Sequence, residues 1–287
     1  MSRDVRSTEV AVVIISFGPR DTLADAVRSI LDQDMDAELL VVHSGDGDPR
    51  SLLQQEGLNV PVYLSSERLF PGGARNVGIA RTTAPVVAFL ADDCTAEPGW
   101  VRARQAAHAE GHAAVASALV PHRPLHATTL AVHLSRQLLR MPGIPAERAL
   151  RYGVSYTREL LTALGPFDAR LLGGEDAVYN SRVVDEGFPI HWAPEVVTVH
   201  RGPESLREAL PELYRRGRAR VRVKANQGRV ERTRFFQRYR QRMRFGRKWI
   251  PQVVSEEQRQ VVARGKVAYA LCIAATTLGE WREGLRS

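Results

Sequence analysis

Two cysteines, Cys94 and Cys272, are all that the 287 residues contain. That excludes a disulfide framework and any cysteine-spaced zinc site, and it fits a reducing compartment. Long hydrophobic runs are scarce as well. The longest uncharged stretch near the end, residues 267–279, has two threonines and falls well short of the ~20 residues that cross a bilayer. Residues 1–9 are polar and hold no apolar signal core. No repeat or low-complexity segment is visible. These absences predict a cytoplasmic protein, peripheral to the membrane where it meets one.

Acidic residues run short in one region. The formal charge is +8 with a pI near 10.0, and residues 215–248 carry most of the excess. A basic face of this kind calls for an anionic partner: nucleotide-sugar phosphates, acidic lipid headgroups or nucleic acid. The rest of the composition is ordinary for a globular chain, long enough for one large α/β domain or a domain plus an appendage.

The stretch 86–100 organises the remainder. A buried apolar run, Val86-Val87-Ala88-Phe89-Leu90-Ala91, stops at two adjacent acids, Asp92 and Asp93, before a Pro98-Gly99 turn. Strands of this composition are buried on both faces, and α/β proteins bind ligands at their carboxyl ends. Two carboxylates there need a positive partner, which a divalent metal carrying a phosphorylated ligand would supply. A solvated acidic turn is the alternative reading.

Strands are expected over 10–16, 38–43, 60–64 and 86–90. Helices are expected over 21–31, capped by Asp21, and over 51–56, and another follows the glycine-rich turn Pro71-Gly72-Gly73. This alternation predicts a doubly wound, mainly parallel sheet, with Ser16-Phe17-Gly18, His43-Ser44-Gly45 and Asp92-Asp93 lining one crevice. A helix from Trp100, a strand over 113–120, a helix over 125–139 and a strand over 152–156 come next. Thr157 caps a helix over 158–164, Gly173-Gly174-Glu175-Asp176 opens another over 177–186, and two short strands span 190–193 and 196–200. Beyond Gly202-Pro203 the chain reads as helical.

Six pieces in this order resemble the family-2 glycosyltransferases with a GT-A fold: Val12-Val13-Ile14-Ile15-Ser16-Phe17, Gly73-Ala74-Arg75-Asn76-Val77-Gly78, Phe89-Leu90-Ala91-Asp92-Asp93-Cys94 with Pro98-Gly99-Trp100, Leu164-Gly165-Pro166-Phe167-Asp168, Gly174-Glu175-Asp176, and His200. The resemblance covers residues 10–202. It implies a GT-A fold with a helical C-terminal extension: a donor half over 1–110, an acceptor and catalytic half over 111–204, and basic helices over 205–287. It implies a metal-dependent, inverting transfer of a sugar from a UDP, dTDP or GDP donor to a hydroxyl acceptor, lipid-linked acceptors included.

The family pattern also implies roles for single residues. Asp93 stands at the last Asp of the Asp-X-Asp motif, the position that holds Mg²⁺ or Mn²⁺ on the donor diphosphate. Ala91 replaces the first Asp, which leaves Asp92 as a candidate substitute. His200 is a second metal or diphosphate contact, and Arg201 a phosphate contact. Asp176 is the general base and Glu175 its neighbour, with an N-terminal helix cap as the alternative. Ser16, Phe17, His43, Arg75 and Asn76 fall on the donor side, and His43 stands where the family commonly has an Asp that pairs with the nucleotide base. Trp192 is a candidate for an acceptor subsite, since aromatic faces stack on sugars, with a place in the core as the alternative. A catalytically inactive GT-A module serving as a membrane or partner scaffold is the rival reading, kept open by Ala91 and His43.

The basic stretch interleaves Arg with Val221, Val223, Phe235, Phe236, Tyr239, Met243, Phe245 and Trp249. It suits either an anionic membrane surface or a helix packing its apolar side on the domain. No recognised nucleic-acid motif accompanies the charge.

Overall fold

The computed structural model describes residues 8–18, 20–226 and 234–285. Pro19 of the first turn, the polar start 1–7, the side chain of Val223 and the basic residues Arg229 and Arg232 lie outside the described residues. The chain folds as two compact units. One takes in the chain as far as Ala118 together with Leu150–His200, and the other Leu119–Ala149 with the chain from Arg201 onward.

The first unit is built on β1 (Val10–Phe17), β2 (Glu38–Ser44), β3 (Val62–Leu64) and β4 (Val86–Ala91). β5 (Cys94–Ala96), β6 (Ala114–Pro121), β7 (Ser155–Thr157) and β8 (Ile190–His200) complete an eight-stranded open sheet in the order β3-β2-β1-β4-β7-β6-β8-β5. The first four strands run parallel to one another, whereas β4 with β7, β6 with β7, and β5 with β8 pair antiparallel, so the sheet is mixed. β1 and β4 are buried over most of their length because helices cover both faces. Those helices are α1 (Thr22–Leu31), α2 (Pro49–Gln55), α3 (Pro71–Arg81), α4 (Trp100–Ala109), α6 (Arg158–Leu164) and α7 (Glu175–Asp185). Its core runs from Val10, Val12 and Ile14 through Leu23, Val27 and Ile30 to Trp100, Val101 and Val196.

Four local expectations change. The glycine-rich segment is not a turn: α3 begins at Pro71, a residue suited to the first helical position because its missing N–H has no partner there anyway. Residues 190–200 form one strand rather than two, since the fixed φ of Pro194 is compatible with an extended chain and costs a single donor. β5 replaces what reads as loop. Asp21 occupies the N-cap of α1 without a side-chain capping bond, and Leu31 is exposed. Thr157 does cap α6, accepting from the Leu160 N–H, and Asp48 caps α2 through the Arg50 N–H.

The second unit is helical: α5 (Ala127–Gln137), α8 (Leu206–Asn226), α9 (Phe235–Val253), α10 (Glu256–Arg264) and α11 (Lys266–Gly284). Leu130, Leu134, Leu138, Met141 and Ile144 share one core with Trp249, Ile250, Val254 and Val261. The apolar side of α9 is therefore packed inside this unit. Glu280, 2% exposed, takes ion pairs from Arg220 and Arg242, and Glu283 takes them from Arg218 and Arg222. No single helix among the described residues is long and apolar enough to cross a membrane.

Candidate functional site

The acidic end of β4 acquires its shape from β5. That short strand pairs antiparallel with β8 and sets Cys94 opposite His200. Asp93, one residue ahead of the strand, thereby comes 3.8 Å (Oδ2) from Nε2 of His200, and both side chains are partly open to solvent. Asp93, Cys94 and His200 present ligand-type atoms all within 4.8 Å of one another. The cysteine is a poor third ligand. It is buried in the core, its Sγ–H donates to Asp93 Oδ1 at 3.5 Å, and burial, aided by the Asp93 charge, pushes the thiol well above its usual range. Soft sulfur also suits a hard, oxygen-preferring cation poorly. The remaining carboxylate and imidazole fit a divalent cation such as Mn²⁺, and two protein ligands leave positions for phosphate oxygens.

Asp92 points the other way. It is buried, accepts the Phe17 N–H at 3.2 Å, and so ties the end of β4 to the end of β1. Burial raises its pKa, while the Arg20 guanidinium, Nε 3.7 Å from Oδ1, opposes that rise. Arg20 also lies 4.0 Å from Asp93. It therefore belongs to the acidic cluster, a membership that nothing in its turn-like sequence surroundings signals.

The second group lies where β1 and β2 end. Ser16 Oγ and His43 Nδ1 are 3.0 Å apart and both side chains are buried, His43 at 1% exposure. His43 Nε2 has no hydrogen-bond partner among the described residues. Phe17 is exposed, and the Arg68 guanidinium lies 4.8 Å over its ring and 5.4 Å from the ring centre of Phe70. Gly45, at φ +92°, leaves room for the Phe17 ring, which would come 3.0 Å from a Cβ at that position. Phe17 and Arg68 together make an exposed aromatic and guanidinium pair. Nothing in the sequence marks Arg68, which sits in a segment without a recognisable motif.

The third group is the Glu175-Asp176 pair. Gly174 takes φ +83° at the N-cap of α7, a conformation open to glycine at no steric cost, and the helix starts at Glu175. Glu175 is buried and forms an ion pair with Arg75. The guanidinium of Arg75 stacks 5.4 Å from the Phe89 ring and 5.5 Å from that of Phe167. Beneath it Phe167 stacks on Tyr179 at 3.9 Å, with Tyr156 edge-on to both. Asp176 is half-buried, and its Oδ1 accepts the Ala177 N–H at 2.7 Å. One carboxylate of the pair is locked into the protein and the other reaches the surface.

Arg75 is thus engaged with Glu175. Asn76 clamps the Phe167 backbone, donating to its carbonyl and accepting from its N–H, each at 2.9 Å. Arg201 is exposed and follows His200 in the chain, at the start of the second unit. Trp192 is buried in the core.

The family model "Glycosyl transferase family 2" matches residues 11–158. The chain is 22% identical over 224 residues to the glycosyltransferase AglE of Haloferax volcanii, covering 75% of this chain and 73% of that protein. A mannosyltransferase of Pyrobaculum calidifontis, PcManGT, solved with GDP-Man and Mn²⁺, is similar in fold. The TM-score is 0.59 at 16% identity, covering 96% of this chain and 88% of the other.

Proposed function

Because the chain belongs to glycosyl transferase family 2, it is a glycosyltransferase, and we propose that it inverts configuration as it moves a sugar from a nucleotide diphosphate to an acceptor hydroxyl with a divalent cation bound. The observation that carries this reading is the placement of the Glu175-Asp176 pair at the start of α7: Glu175 is buried in an ion pair with Arg75, and Asp176 is the carboxylate of the pair that is partly open to solvent. Asp176 takes the proton from the acceptor hydroxyl while the hydroxyl oxygen bonds to the anomeric carbon. The diphosphate departs from the opposite face with the bonding electron pair. Asp93 and His200 would hold the cation, Mn²⁺ or Mg²⁺, which when bound offsets the negative charge of the leaving diphosphate. Arg20 and Arg201 supply further positive charge for the phosphates.

Phe17 and Arg68 offer the nucleobase a stacking surface. Ser16, His43 and Asp92 act beneath it by fixing the ends of β1, β2 and β4. We assign donor contacts to residues 1–110 and acceptor contacts to residues 111–204. Of the UDP, dTDP and GDP sugars, GDP-mannose is the first donor to assay, since the fold neighbour PcManGT was solved with it and with Mn²⁺. We assign the enzyme to the cytoplasm, peripheral at the inner face of the cell membrane, on the strength of its basic helices.

One assay tests the chemistry. Asp176→Asn is expected to lose roughly 10²- to 10⁴-fold in transfer while still binding donor with Mn²⁺. Asp93→Ala is expected to make donor binding indifferent to Mn²⁺ or to chelator. Native-rate transfer by the first variant, or metal-responsive binding by the second, would sink the respective assignment.

A further inference from the structure

Helix α11 buries one mixed face and leaves apolar side chains exposed on the other. Cys272, Ile273, Thr276, Gly279, Glu280 and Glu283 are buried within the helical unit. On the opposite side Val267 (72% exposed), Leu271 (42%), Leu278 (43%), Trp281 (38%) and Leu285 (68%) face solvent. At 3.6 residues per turn these five fall within an arc of about 80°, a single stripe along the helix. The stripe carries no acid. The two acids of α11 are buried in their arginine pairs, and its exposed charged residues are Lys266 and Arg282.

The surrounding charge selects the occupant. Residues 201–287 hold 22 Lys and Arg against 8 Asp and Glu, a net +14, whereas residues 1–200 hold 18 against 24, a net −6. α9 contains no acid at all, and Arg240, Arg244, Arg247 and Lys248 are exposed on it. A second copy docking through this stripe would bring the same positive region against itself, without the oppositely charged flanks that stabilise paired helices. A bilayer with anionic headgroups meets both demands: it buries apolar side chains and attracts cations. α10 and α11 together have the length and hydropathy of a broken span, bent by 68°. Since one face of α11 is already occupied by buried ion pairs, the helix lies on a bilayer rather than crossing it.

We propose that the exposed stripe Val267-Leu271-Leu278-Trp281-Leu285 of α11 is the seat of this protein on an anionic membrane surface. The basic face of α9 supplies attraction at longer range. The inference rests on the peripheral location proposed above and is independent of the transfer chemistry.

The full chain contains its own reporter. Of its four tryptophans, Trp100, Trp192 and Trp249 are buried and only Trp281 is exposed. With vesicles of roughly 3:1 phosphatidylcholine and phosphatidylglycerol, emission is expected to shift to the blue and to be quenched by spin-labelled acyl chains. Phosphatidylcholine alone should give little of either. Leu271→Ser with Leu278→Ser should weaken vesicle partitioning roughly tenfold or more while leaving the unfolding midpoint in place. If the native protein ignores anionic vesicles, or retains RNA instead, both the location and the seat are wrong. Vesicle binding with Trp281 untouched by the quencher, and unchanged in the double variant, leaves the location standing and overturns the seat. A native dimer that the double variant dissociates would overturn it as well.

Discussion

At the scale of single residues, the site turns on which charges are locked and which are available. Arg75 looks like a donor contact in the sequence, because it opens a helix beside glycines. In the fold its guanidinium lies on Phe89 and Phe167 and closes on buried Glu175. Removing one partner of such a pair strands the other charge in a poorly solvated place, which costs more than the pair itself contributes. Arg75→Met is therefore expected to destabilise the protein by roughly 3–5 kcal/mol, and Glu175→Gln introduced on top should restore most of that loss. Chemical denaturation of the two variants and the native protein measures it. A single variant as stable as the native protein would show that Glu175 finds water or another cation when Arg75 is gone. Asp92 and Asp93 divide in the same manner: the first is spent on the Phe17 backbone, and the second faces His200.

At the scale of elements, close packing explains what composition alone misread. A Cβ on Gly78 would come 2.7 Å from Cγ2 of Val13 and 3.0 Å from its Cβ, so α3 can rest on β1 only because position 78 has no side chain. Gly78→Ala should cost about 1–3 kcal/mol despite its gain in helix propensity, readable as a lower midpoint of unfolding. An unchanged or higher midpoint would mean that α3 shifts away from β1 freely. The same residues bear on how much was legible beforehand. The parallel strands could be read directly, since each is an uninterrupted apolar run between turns, and so could the helix start at Thr157. The glycines of α3 could not, because a sequence shows that a side chain is missing but not that a neighbour fills its place. β5 was hidden by its length: one alternation over three residues is too short to carry a periodic signal, yet their pairing with β8 is what brings His200 to Asp93. Arg20 and Arg68 were hidden for a related reason, since each meets its partners only across strand ends that the fold brings together.

At the scale of the whole molecule, the basic C-terminal helices invite treatment as an appendage that could be cut away. The cores argue otherwise. Leu130, Leu134, Leu138, Met141 and Ile144, from the middle of the chain, share one cluster with Trp249, Ile250, Val254 and Val261. Val132 likewise packs with Ala209, Leu213 and Cys272. A chain ending at residue 204 would expose all six of those mid-chain side chains. At about 1.5–3 kcal/mol for each large apolar side chain returned to water, the loss is of the same order as the ~5–15 kcal/mol by which a domain is normally stable. The stretch 127–149 would then have no core of its own to join. Such a truncation is expected to be insoluble, or to bind an apolar dye with little near-ultraviolet dichroism, even though it keeps Asp93, Glu175, Asp176 and His200. If residues 1–204 instead gave a soluble protein with a sharp thermal transition, the mid-chain helix would have to find other cover, and the C-terminal helices would be a true appendage. The wide separation in sequence between the partners in these clusters is also why their union leaves no mark on any local stretch of the chain.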